Sequence, residues 1–324
     1  MSALVIVRDI HFVSSVIVAG VVFFDLFVAS PVLRSDLRFS KAKFFFREAA
    51  GKIFWISLAL SMASAIAWLC LLSMRITGKS FGNVIGDGTV WTVLLQTQFG
   101  FAWEMRLLFG VLLGACLLLL RKKSEVLSAT WLITAASMLA AAYLGALAFA
   151  GHGQEGAGLA HIHLAADFLH LNAAGLWLGA LVPLALLLVS LRRFSEEGWM
   201  FAAAAAAGRF STLGILAVGI LLVSGTINGA FLLGGIQNMI DTGYGRLLLL
   251  KIVLFAVMLF LAGINREYLL ARLSRSRGTD LDSRTVQQLI RSAMAEIVFG
   301  FAILLIVGAL GVMAPANDMA AHVH

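Results

Sequence analysis

Charge is scarce in this sequence. Of its 324 residues, 13% are Asp, Glu, Lys or Arg and 61% are hydrophobic, a balance that excludes a soluble globular fold. Cysteine is scarcer still: Cys70 and Cys116 both fall inside apolar runs, with no C-x-x-C spacing at either, so neither a disulfide framework nor a thiolate cluster is expected. Catalytic signatures are absent as well. The chain holds no Ser-His-Asp spacing, no phosphate loop and no H-E-x-x-H, so it does not read as an enzyme. Without a nucleotide motif, any transport would be passive, ion-coupled or driven by the membrane potential. The net charge of +7 lies in short clusters between apolar runs rather than on one basic face. That pattern points to membrane topology and away from nucleic acid.

What the chain has in quantity is long apolar runs. A bilayer core near 30 Å requires roughly 20 apolar residues per helix, and eight runs approach or reach this length: 10–30, 53–74, 105–120, 126–149, 164–191, 211–233, 247–269 and 297–313. The third and eighth are short and are expected to extend by about a turn. Backbone groups in lipid must pair internally, so the runs predict an all-α polytopic membrane protein of about eight helices. The first run is followed, not preceded, by its main basic cluster and reads as a retained helix rather than a cleaved signal. The loops after helices one, three, five and seven, with their flanking turns, hold 6, 3, 3 and 6 of the 24 Lys and Arg. By the positive-inside rule both termini then face away from the cytoplasm, toward the periplasm in a bacterial-type protein.

On this topology all seven histidines, His11, His152, His161, His163, His170, His322 and His324, fall at outer helix ends or in outer segments. Imidazole is the commonest metal ligand. An internal repeat is also visible. His11 and Gly20 are matched by His170 and Gly179 at an offset of 159, and Phe99, Gly100 and Arg106 by Tyr244, Gly245 and Lys251 at an offset of 145. The expected organisation is two parallel four-helix repeats, 1–150 and 151–324, within one integral membrane domain, the second ending in a periplasmic tail.

The stretch 150–184, AGHGQEGAGLAHIHLAADFLHLNAAGLWLGALVPL, runs from a Gly-rich outer loop into the fifth helix. His163, Asp167 and His170 stand at i, i+4 and i+7, within about 40° on one helical face. A carboxylate in a membrane helix is usually paired or functional, and Asp167 suits either ligation or holding a histidine tautomer. His152 and His161 lie beside glycines in the loop, and the tail ends in His322-Val323-His324 close to Met319. Of the buried soft side chains, Met62, Met258 and Cys116 are candidates for a deeper pathway, although core packing is the ordinary role of methionine. Asp25, toward the inner end of the first helix, implies a partner or an aqueous vestibule. Arg106 and Lys251 are expected to snorkel outward.

The G-H pair at 151–152, HLAADFLHLNAAGLWLGALVPLA over 163–185, YGRLLLLKIVLFAVMLFLAGINR over 244–266, and Phe99-Gly100 followed by Arg106 together resemble the CopD copper-resistance family of bacterial inner-membrane proteins. The resemblance covers essentially the whole chain. It implies a permease that takes copper ion, Cu(I) or Cu(II), from the periplasm and passes it inward, often with a periplasmic copper-binding partner of the CopC type. By the same motifs His11, His152, His163, Asp167 and His170 would form the outer copper site, with His161, His322 and His324 as further candidates. Two alternatives remain open at this point. One is a b-type haem cytochrome with His11 and His170 as axial ligands; the other is a periplasmic metal sensor or assembly protein that transports nothing.

Overall fold

The structure is a computed structural model that describes residues 2–33, 39–122, 126–150, 160–274 and 280–316. Among the described residues eight helices are long and apolar enough to cross a membrane: α1 (Ala3–Leu33), α2 (Ser40–Thr77), α3 (Gln98–Leu120), α4 (Trp131–Ala150), α5 (Ala160–Phe194), α6 (Trp199–Leu233), α7 (Gly243–Leu273) and α8 (Ser283–Leu310). No strand occurs among the described residues. Each helix exceeds the apolar run that announced it, except α4, because charged residues continue the helix past the hydrocarbon. At the start of α2, for example, Lys52 pairs with Glu48 at 2.7 Å one turn away, an i, i+4 contact that supports a helix in water.

Helix ends carry local signals. The Ser2 hydroxyl accepts the Val5 amide at the head of α1, and the Thr242 hydroxyl accepts that of Gly245 at the head of α7, both N-caps. Gly78 ends α2 at φ 68°, a left-handed turn that glycine adopts without strain. Between α2 and α3 lie two short helices, Phe81–Gly86 and Thr89–Gln96. Three of the long helices contain a π-helical turn: Asp25–Ala29 in α1, Gly175–Gly179 in α5 and Asn265–Leu270 in α7.

Packing is arranged around α1 and α5, the most buried helices, whereas α7 is the least enclosed. One apolar core is built chiefly by α1 to α4 around Phe54, Leu113 and Tyr143. A second is built chiefly by α5 to α8, with the near ends of α1 and α2, around Trp177, Leu187 and Met258. The two central helices cross at glycine. A Cβ added to Gly20 would fall on the Gly179 backbone, and one added to Gly179 would meet the Val16 carbonyl and the Gly20 Cα. The backbones therefore touch, the close approach that small residues allow between membrane helices.

Candidate metal centre

The bundle's two ends differ. The histidines described by the structure all sit toward one end, that of the α5 N-terminus and the α6 C-terminus, and the strongest polar constellation there is built on α5. His163 is 3% exposed. Its ring stacks on Phe231 of α6 with centroids 4.7 Å apart, and its Nε2 is 3.9 Å from Asp167 Oδ2. The other carboxylate oxygen of Asp167 accepts a hydrogen bond from Asn228 Nδ2 of α6 at 2.6 Å. The Asp167 charge also acts on Tyr244 and Lys251 of α7. One turn deeper, His170 Nδ1 lies 3.0 Å from Ser224 Oγ. Because the Ser224 hydroxyl donates its only proton to the Ile220 carbonyl at 2.6 Å, the network requires His170 to carry its proton on Nδ1 and donate to the serine. Its Nε2 is left with a lone pair, the state a metal-binding imidazole needs.

His11 has the same arrangement on α1. Its Nδ1 is 3.1 Å from both the Ser61 carbonyl and Ser64 Oγ of α2, and the carbonyl can only accept, so the proton is again on Nδ1. Here the surroundings are sealed. The ring is 0% exposed, packed at 5.5 Å from Trp68 and 5.0 Å from Trp103, and Nε2 is buried without a hydrogen-bond partner. Two guanidinium groups lie close enough for their charge to act on it. Arg8 sits 4.4 Å above the Trp68 ring. Arg106 is 2% exposed, donating to the Tyr143 carbonyl at 2.6 Å and to Ser15 Oγ at 2.8 Å. Ser15 continues to Ser61, which is hydrogen-bonded to the Tyr143 hydroxyl. Among the described residues no carboxylate pairs with Arg106, and it does not snorkel: the expectation of an outward arginine is corrected to one enclosed by α1, α3 and α4. Lys251 is half-buried beside Asp167 rather than extended to the surface.

The outer site expected from sequence is thus divided. His163 and Asp167 come together, and His170 lies on the same side of α5 against the same neighbour, α6. His11 belongs to a different helix group, and among the described residues no three His, Cys, Asp or Glu side chains converge on one point. His161 is exposed; His152, His322 and His324 lie outside the described residues. The two rings proposed for a shared haem bond to different helices, His11 to α2 and His170 to α6, an arrangement that lends the cytochrome alternative no support. The soft side chains are also split. Met62 and Cys116 belong to the α1–α4 core, where Cys116 Sγ donates to the Leu132 carbonyl at 3.3 Å, and Met258 belongs to the other core. Asp25 accepts from Ser30 Oγ at 3.3 Å.

Comparison with known proteins bears on what this arrangement serves. Residues 1–162 match the family model described as copper resistance protein D-like, N-terminal domain, and residues 204–310 match copper resistance protein D, CopD. The chain belongs to the CopD family. Its relatives include inner membrane protein YebZ of Escherichia coli, 29% identical over 95% of this chain and 97% of that protein. Copper resistance protein D of Pseudomonas syringae is 27% identical over 88% of this chain and 89% of its own length. Copper transport protein CutJ of Bacillus subtilis is 29% identical over 92% of this chain but only 50% of CutJ. No solved structure matches. This CopD chain is accordingly a copper-related, multi-pass membrane protein, and Ser64, Ser224 and Asn228 are polar partners that the residue pattern did not single out. An offset of 160 between Ser64 and Ser224, beside the 159 that relates His11 to His170, was the available signal.

Proposed function

We propose that this protein is an inner-membrane copper permease that takes copper from the periplasm at a site on α5 and moves it inward. The observation that carries the reading is the α5 face of His163, Asp167 and His170, with His170 Nδ1 tied to Ser224 so that Nε2 presents a lone pair. The names of CutJ and of the Pseudomonas protein agree with copper as cargo, and the name of YebZ with the inner membrane. Imidazole and carboxylate accept Cu(II), and imidazole also serves Cu(I). The α5 site is the better cation site because its Asp167 carboxylate offsets the one cation that acts on His170, Lys251, whereas a copper ion at His11 would face the charges of both Arg8 and Arg106. His152, which precedes α5 in the sequence, is a further candidate ligand in this scheme, and a CopC-type periplasmic protein is the donor. In this scheme the chain is two parallel four-helix repeats, the α5 site and His11 are equivalent positions in them, and the Gly20–Gly179 contact lies between the two.

His170→Ala is the direct test. In purified protein the substitution abolishes stoichiometric copper binding; unchanged binding of both Cu(I) and Cu(II) would reject the assignment. Copper flux into proteoliposomes then separates a permease from a sensor that only binds.

A further inference from the structure

Glu296 stands near the middle of α8 and is 2% exposed. An ionisable side chain within a membrane span is costly, and by default marks a functional position. No Lys or Arg forms an ion pair with it among the described residues. Its Oε1 accepts from Asn265 Nδ2 at 2.6 Å, in the π-helical turn of α7, while Asn265 Oδ1 is buried with no partner. Both side chains line a cavity of about 240 Å³ between α5, α6, α7 and α8. Its walls are apolar apart from these two residues, Ser211 and Arg266. Arg266 is engaged by groups other than Glu296: it donates to Ser211 Oγ at 2.9 Å, and its Nε lies 3.6 Å from Glu267 Oε1.

The charged and titratable groups around Glu296 are few. α5 contributes none to the cavity, α6 contributes only the Ser211 hydroxyl, and α7 contributes Asn265 and Arg266. On α8 itself the flanking charge is Arg291, which is exposed. α1 also packs on α8, and its acidic group in this half, Asp25, is tied to Ser30 and does not line the cavity. Beside Glu296 the buried Asn265 Oδ1 therefore lacks a donor, in a space large enough for water. Buried acceptors left unmatched call for a bound donor. Among the described residues no Met, Cys or His lines the cavity, so its oxygens do not suit a soft metal ion. They suit a proton.

We infer that Glu296 is a proton-binding site that couples proton movement to copper transfer. This rests on the permease reading above. The carboxylate takes one proton from cavity water to become the neutral acid, which still accepts from Asn265, and returns it to water at the end of the bundle that carries the basic loops. No electron moves, and one proton is carried per cycle.

The full-length protein in proteoliposomes loaded with a pH indicator provides the test. Copper added to the wild type drives proton flux across the membrane. Glu296→Gln loses that flux while His170-dependent copper binding keeps its wild-type affinity, and Glu296→Asp restores part of it. Proton flux in Glu296→Gln equal to wild type, or copper uptake by the wild type with no proton movement, overturns the inference and leaves the permease reading standing. If the wild type moves no copper, the permease reading itself fails. The proton site is then judged by infrared difference spectra of the purified protein between acid and neutral pH. A protonated-carboxyl band missing from Glu296→Gln supports the site, and identical spectra overturn it.

Discussion

His11 and His170 carry the same proton on the same nitrogen, fixed in each case by hydrogen bonds to the next helix in the chain, and what distinguishes them is the charge nearby. The Lys251 ammonium, offset by the neighbouring Asp167 carboxylate, acts on one, and two arginines act on the other. Removing the carboxylate while keeping its shape isolates that difference: Asp167→Asn still accepts from Asn228, and copper affinity falls by about 10–100-fold, the usual cost of losing such a partner at a metal site. Competition against a chromophoric chelator measures it, and an unchanged affinity shows that Asp167 is not part of the site. The ligand-type residues of α5 were legible because their spacing repeats along a single helix. Their partners Ser224, Asn228 and Tyr244 come from other helices, and nothing in a one-dimensional pattern pairs them. Arg106 was misread for a related reason. Snorkelling is the cheapest course for an isolated cation, but a carbonyl, a hydroxyl and the Tyr143 ring at 4.4 Å solvate this one inside the bundle.

At the scale of the helix, the glycine crossing sets the tolerance for change. Gly179→Ala forces a methyl group into the α1 backbone and costs roughly 1–3 kcal/mol as overpacking, read as a lower unfolding temperature in detergent. Gly208 of α6 has open space where its Cβ would be, so Gly208→Ala is the matched control and does not lower it. The connection between α2 and α3 has a separate acid dependence. Asp87 is held down to about 2, first by the Lys79 ammonium and then by the hydroxyl and amide of Thr89. A depressed folded-state value stabilises the turn at neutral pH, and the contribution fades as pH falls from 3.8 through about 2. Hydrogen exchange at the Thr89 amide follows the loss, and Lys79→Ala moves its midpoint upward. All eight spans were visible as apolar runs. Their true lengths were not, because Lys41, Lys43 and Arg47 cut the hydropathy of α2 without interrupting its backbone hydrogen bonds.

For the molecule as a whole, the distribution of Lys and Arg predicts termini on the outer side. In a cysteine-free background, Asn83→Cys, between α2 and α3, reacts with a membrane-impermeant maleimide in intact spheroplasts, whereas Glu197→Cys, between α5 and α6, reacts only after permeabilisation. The reverse pattern would invert the proposed direction of copper movement. The two larger apolar cores meet at Val21, Leu176 and Leu178, which pack against both. The depth at which His11 is sealed was not foreshadowed, since it depends on Trp68 and Trp103 arriving from two other helices.

Where Gly20 rests on Gly179 there are no interlocking side chains to act as teeth. Main chain bearing directly on main chain resists approach strongly but resists rolling weakly, so the contact works as a fulcrum. A turn of one group of helices on it would open the bundle at one mouth and shut it at the other without separating the two central rods.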